Sequence, residues 1–251
     1  MTLKSLDDLL VFLETHGAHA WYRGHSDDKK YTLTPGILRP DQKRHDHELL
    51  HNFMTRSSAF LGTPRSDDYS AWVSLAQHHG LPTRALDWSE SFLTALFFAV
   101  HHADAPFGAQ NAIADASVWL LDPVRLNSAF TPGTNGVFCE TELPVSEAHE
   151  KAILGSHARV TSPPRGVLAY RPRYQNPRMA AQKAAFTWHM DESALEAHRS
   201  AHEFLCKVVI PGTMKAALLK HVTAMGVSES TLFPDLEGVA RELKRRIPQV
   251  R

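Results

Sequence analysis

The stretch LAQHHGLPTRALDWSESFLTALFFA at 75–99 sets two His, an Arg, an Asp and a Ser between two apolar helical runs, and WYRGH at 21–25 ends a short strand on Arg and Gly. Apolar core needs none of these groups. A guanidinium at Arg23 offers paired N–H donors to a phosphate or a carboxylate, and Gly24 is a position where a backbone can be approached closely. His78 and His79 stand beside Gln77, Arg84, Asp87 and Ser89, a mixture of donors, acceptors and one carboxylate that suits a polar ligand. Structural readings of the same residues compete with this one. Arg84 or Arg23 could pair with Asp87 to brace the strands, and Ser89 could be a plain helix N-cap.

HELLH at 47–51 matches the zincin pattern, in which His at i and i+4 share one helix face and grip zinc while the Glu acts as base. No HxxGxxH follows, no third ligand is evident, and the flank DQKRHD is heavily charged. With 16 His in the chain, a chance match on a half-exposed helix is the better reading, and no metal is expected. The His pairs at 78–79 and 101–102 are poor chelators, because helical neighbours point about 100° apart. His101 and His102 suit the negative end of a helix dipole.

The periodicity and the capping signals place these groups. Ser5 starts a helix that Gly17 ends, and a strand is predicted at 19–24 and a loop at 26–43. Helices follow at 45–61 and 68–79, with Gly80-Leu-Pro82 as the stop. A strand at 83–88 leads through Ser89 and Glu90 into a buried helix at 91–102. Further strands are expected at 117–121, 166–170, 184–189 and 204–210, and helices at 213–225 and 235–246. Residues 123–165, with a helical piece SEAHEKAIL, read as an insertion or long loop. Strands and helices are interspersed without regular βα alternation, so the expected class is α+β, a single mixed domain over 1–251. GxGxxG and GxxxxGK[ST] are absent from the sequence, which excludes the two common nucleotide cradles.

The chain has 251 residues, 43% hydrophobic and 22% charged, with 27 basic and 27 acidic residues. No net positive field advertises nucleic acid or an anionic membrane, although 165–178 (RGVLAYRPRYQNPR) is locally basic. Cys139 and Cys206 form no CxxC and no zinc framework. No run is long enough for a membrane span, and the first helix is no signal peptide. A soluble protein of the cytoplasm is expected, with no membrane partner.

These residues resemble the FRG domain family. The likeness rests on Tyr22-Arg23-Gly24, then YTLTPGILRP (31–40), HELLHNF (47–53), LAQHHGLPTRALDWSESFLTALFFA (75–99), YQNPRMAAQKAAFTWH (174–189), KVVIP (207–211) and TLFPDLEGVA (231–240). A more remote resemblance is to the ADP-ribosyltransferases, which bind NAD through a strand bearing Arg or His, a strand ending in Ser before a helix, and a late strand bearing Glu. That resemblance implies an α+β core with a split sheet and NAD as co-substrate. It implies that Arg23 holds the pyrophosphate or the ribose, and that Ser89 supports the Arg and the nicotinamide ribose. His78 and His79 would line the site, and Tyr22, Trp88 and Phe186 would pack on nicotinamide. In the third block Gln182 stands where Glu is expected. A neutral amide can orient ribose or acceptor, but it cannot stabilise the developing oxocarbenium charge, so Asp87, Glu203 and Asp235 are the alternative carboxylates. The acceptor would be a nucleic acid or a protein, in a bacterial toxin or phage-defence setting with an antitoxin as partner. The competing reading is a sensor that binds a nucleotide or phosphorylated ligand through Arg23, Arg84 and Arg178. A zinc hydrolase through His47, Glu48 and His51 trails both.

Overall fold

A computed structural model of the chain describes residues 1–17, 19–39, 46–60, 62–66, 68–101, 114–139 and 166–247, the side chains of Leu6, Asp46, His47 and Arg246 excepted. Strands β1 (Trp21–His25), β2 (Ala85–Ser89), β3 (Ala116–Leu121), β4 (Phe138–Cys139), β5 (Val167–Arg171), β6 (Ala184–His189) and β7 (Leu205–Ile210) form one sheet in the order β4-β5-β6-β2-β1-β3-β7. All neighbours are antiparallel except β4 and β5. Helices α1 (Leu6–His16), α2 (Asp46–Ser57), α3 (Tyr69–His78), α4 (Phe92–Val100), α5 (Pro123–Phe130), α6 (Pro177–Ala181), α7 (Ala201–Phe204), α8 (Lys215–Ala224), α9 (Glu229–Leu232) and α10 (Leu236–Arg246) surround it. The architecture is α+β, with a mixed sheet.

Strand alternation explains how the sheet is covered. Tyr22 and Gly24 in β1, Val118 and Leu120 in β3, and Val208 and Ile210 in β7 pack with α1, α4 and α8 around Phe97, Val100, Leu218 and Val222. On the other half, Ala85, Ala184, Phe186 and Trp188 join Leu50, Trp72 and Val73 of α2 and α3. The reverse face buries Trp21, Leu86, Trp88, Leu121 and Ala185 under Leu33, Leu126, Leu195 and Phe204. Here Asn127 of α5, fully buried, donates to the carbonyls of Ala169 and Gly136 and accepts from the Ala169 amide at 2.7 Å.

The sheet has a weak seam. β1 pairs with β3 through five residues from Trp21 to His25, and β2 pairs with β6 through five from Ala85 to Ser89. Between β1 and β2, among the described residues, the register has one pair, Tyr22 with Ser89. Beyond it the two strands diverge, but all seven strands belong to one sheet, and the expected split into two sheets is not seen among the described residues.

Two expectations shift. Ser89 stays in β2, held by its pairs with Tyr22 and Ala184, and the N-cap of α4 is Ser91, whose Oγ accepts from the Thr94 amide at 3.3 Å. Of the segment 123–165, the described part is α5, β4 and their link, which belong to the sheet and its cover. The piece SEAHEKAIL lies outside the described residues. No helix among the described residues is long and apolar enough to cross a membrane.

Candidate functional site

A cleft of about 410 Å³ opens at the seam. Its floor comes from β1 and β2, and α3 contributes Ser74, Gln77 and His78, which share a face by their i, i+3, i+4 spacing. α4 brings Thr94, Ala95 and Phe98. Arg178, Met179 and Gln182 come from α6 and its cap, and the loop after β1 supplies Tyr31, Thr32 and Arg39. That loop is anchored at three points. Lys215, 1% exposed, donates to the Ser26 carbonyl; Glu196 accepts from the Leu33 amide; and Ile37 and Leu38 are buried.

Arg23 fills the gap that the diverging strands leave. Its Nη1 donates to the Asp87 carbonyl and lies 3.8 Å from Asp87 Oδ2. The guanidinium thus takes the place of a ladder donor that β1 no longer presents to β2. Its side chain keeps about a fifth of its surface, and Nε has no hydrogen-bond partner among the described residues. Burial pulls its pKa below the usual arginine value, Asp87 opposes the shift, and Arg39 adds to it. Arg178 is pulled down by burial as well, with Asp87 the first opposing charge, and its guanidinium stacks 4.5 Å from the Phe233 ring. Asp87 is the sole carboxylate lining the cleft among the described residues. Its Oδ1 accepts from Gln77 Nε2 at 2.6 Å, and Gln77 in turn accepts from the Thr83 hydroxyl.

Gly24 lines the cleft and also makes room for a helix. A Cβ there would overlap the Ala95 carbonyl oxygen and lie 2.7 Å from the Ala99 nitrogen, so the glycine lets α4 lie directly on β1. Ser89 Oγ donates to the Gln182 carbonyl at 2.6 Å and accepts from the Ser91 amide, while Gln182 Nε2 donates to the Leu232 carbonyl. Ser89 and Gln182 therefore brace β2, α6 and α9 against one another at the rim.

The structure brings Arg23, Ser89, Gln182, Tyr22, Gly24, His78, Asp87, Trp88, Arg178 and Phe186 to this cleft. Arg84 and His79 do not line it. Arg84 points to the other side of α3, with Leu50 and Trp188, and its Nη1 reaches the His189 carbonyl, while Asp87 has Arg23 as an ion-pair partner. His79 caps α3, its ring 6.4 Å from that of Phe53. Tyr22, Trp88 and Phe186 are each under 10% exposed. The Tyr22 hydroxyl donates to the Gly17 carbonyl and Trp88 Nε1 to Thr187, so all three serve the core as much as the cleft, whereas Tyr31 offers a more open ring. Asp235 caps α10 through the Gly238 amide and raises the pKa of His78, against burial, Arg178 and His79, which lower it. Glu203 sits in α7, away from the cleft lining. Glu48 and His51 are exposed on α2, and the side chain of His47 lies outside the described residues.

Gln77, part of the polar cluster read from the sequence, lines the cleft as well, whereas Arg39, Tyr31 and His25 were not among the residues singled out. His25 was within reach of the sequence reading, since it stands two residues from Arg23 on one strand and so shares its face. It is 4% exposed, and neither ring nitrogen has a partner among the described residues; Ser117, its cross-strand neighbour, is likewise unpartnered. Burial, reinforced by Arg23, pushes the His25 pKa down to about 3, which keeps the ring neutral, with one donor and one acceptor.

Fold and cleft together describe an α+β protein with a cationic, aromatic-edged site at a break in its sheet. Residues 18–106 match the model of the FRG domain family. The match spans β1 to α4, which includes both strands of the seam. Comparison with curated proteins and with solved structures gives no significant match.

Proposed function

We propose that the cleft binds a nucleotide and that the chain is an ADP-ribosyltransferase-like enzyme that consumes NAD. The observation that carries this reading is the convergence of Arg23, Arg39 and Arg178 on a cleft whose lining, among the described residues, holds one carboxylate, Asp87. Guanidinium groups in a partly desolvated site favour a pyrophosphate, and Tyr31 and Phe98 offer ring faces to a base. Asp87 takes the part of the absent Glu, and Gln182 is a positioning residue. In the reaction the bond from ribose C1′ to the nicotinamide nitrogen breaks and its electron pair leaves with nicotinamide. The Asp87 carboxylate stabilises the charge left on C1′, and a nucleophile on a nucleic acid or protein adds there and loses its proton. A cytoplasmic toxin or phage-defence enzyme held by an antitoxin belongs to the same reading.

One observation favours a second reading, a binding module without chemistry. Asp87 is already engaged by Gln77 and Arg23, and the third block carries Gln182 in place of Glu. Nicotinamide release from NAD, measured with RNA, DNA and protein as acceptors, separates the two. The enzyme reading expects release that Arg23→Ala and Asp87→Asn each reduce by at least tenfold. Binding of NAD by calorimetry without release supports the module. Absence of both refutes the nucleotide assignment.

A further inference from the structure

The C-terminal helix is inside out. A surface helix normally turns its apolar face to the core and its charges to water. In α10 the charged face is turned inward. Arg241 and Arg245 clamp Glu229, 6% exposed, at 2.7 and 3.2 Å, Arg241 lies over the Phe233 ring at 4.8 Å, and Glu242 accepts from the Ser228 hydroxyl and the Ser230 amide. Gly238 abuts the Phe233 backbone. The outward face is apolar: Leu236 is 90% exposed, Val239 44%, Leu243 55% and Ile247 66%. Their spacing of three, four and four residues makes one stripe about 16 Å long. Four large aliphatic side chains in a row on water mark a surface that another surface covers.

The charges beside the stripe say which surface. Glu237 and Lys244 are both exposed. At about 100° per residue, a seven-residue separation returns them to within about 20° of each other on one flank of the stripe. When two copies of a helix pair antiparallel about a two-fold axis, a flank meets the same flank of the other copy. With the axis near residue 241, Val239 then faces Leu243 of the partner subunit, and Leu236 nears the partner subunit's Ile247. Glu237 comes opposite Lys244 of the partner subunit, and the exchange repeats by symmetry. A parallel pair would set this flank against the opposite one and separate the two charges. We propose that α10 is a self-association helix, and that the chain forms a two-fold dimer through an antiparallel α10–α10 contact. The proposal does not depend on the nucleotide reading. It does place the dimer contact next to the cleft, because Phe233, under α10, is also the ring on which Arg178 stacks.

The test is sedimentation velocity of the full chain over a range of concentrations. The expected result is a concentration-dependent dimer, and Leu243→Glu raises the dissociation constant by roughly 100-fold, since the change enters the contact twice. Circular dichroism and a thermal melt check that this variant folds. A second series avoids the apolar stripe: Lys244→Glu weakens the dimer by about tenfold, and the double swap Glu237→Lys with Lys244→Glu restores it. A monomer at every concentration overturns the proposal, even if an unrelated protein co-purifies on the stripe. So does a dimer indifferent to Leu243→Glu in a folded variant, or a swap that fails to restore what the single reversal lost.

Discussion

Acidification from pH 8 to pH 5 will destabilise the chain through two buried histidines. His25 is 4% exposed and His189 fully buried. Burial pushes each imidazole from 6.5 down to about 3, helped by Arg23, Lys207 and Arg39 for His25, against Asp28, and by His198, Arg23 and Arg84 for His189. Both are therefore neutral when folded and take up a proton on unfolding. Their contribution is complete above pH 6.5 and is lost as pH falls from 6.5 towards 3. At pH 5 each costs about 2 kcal/mol, so the pair removes about 4 kcal/mol. His78, also held low, acts in the same direction. The depressed carboxylates Asp8 and Asp68 start from 3.8, so they add nothing in this window. Urea unfolding at pH 5, 6, 7 and 8 measures the effect, and the midpoint should drop by about 1–2 M across the series. His25→Gln and His189→Gln should each flatten the slope by about one proton. A stability that is level from pH 8 to pH 5, or a slope that survives the double variant, would refute the burial argument.

Gly24→Ala should cost about 2–4 kcal/mol in urea unfolding, because the added methyl meets helix backbone, which cannot rotate away; a loss under 0.5 kcal/mol would mean that α4 does not sit on β1 as described. Ser91→Ala should lose about 1 kcal/mol as a plain N-cap, while Ser89→Ala should also loosen the rim at Gln182, read under the proposed nucleotide reading as a change in NAD affinity that Ser91→Ala does not share. Asn127→Ala strips three buried hydrogen bonds from Ala169 and Gly136 and should cost about 2–4 kcal/mol in thermal unfolding.

Much of this fold could be read from local rules. The strand at 184–189, the Ser5 cap and the Gly80 stop depend on neighbours within a few residues, and these signals placed them. Arg23, Asp87 and Ser89 stood out in the sequence because a strand needs none of them for its core, and all three line the cleft. The direction in which Arg84 points was not legible, since Arg84 and Asp87 lie three residues apart across a strand start and their faces depend on where β2 begins. That α4, some seventy residues on, rests against Gly24 was not legible, since nothing local reveals it. Tyr31 and Arg39 reach the cleft through a loop anchored by Lys215 and Glu196, contacts that no spacing along the chain announces.

The seam also bears on what counts as a separable piece of this protein. β1 belongs to the half-sheet with β3 and β7, and β2 to the half-sheet with β5 and β6, so the chain crosses the seam each time it passes from one half to the other. Residues 18–106 contain one strand from each half and none of the strands that pair with them most fully. Among the described residues, that segment holds α2, α3 and α4 but only two strands, joined by one register pair. The part of the chain that matches the family model therefore leaves the fuller partners of both its strands outside it. It is the joint between two assemblies that only the later strands complete.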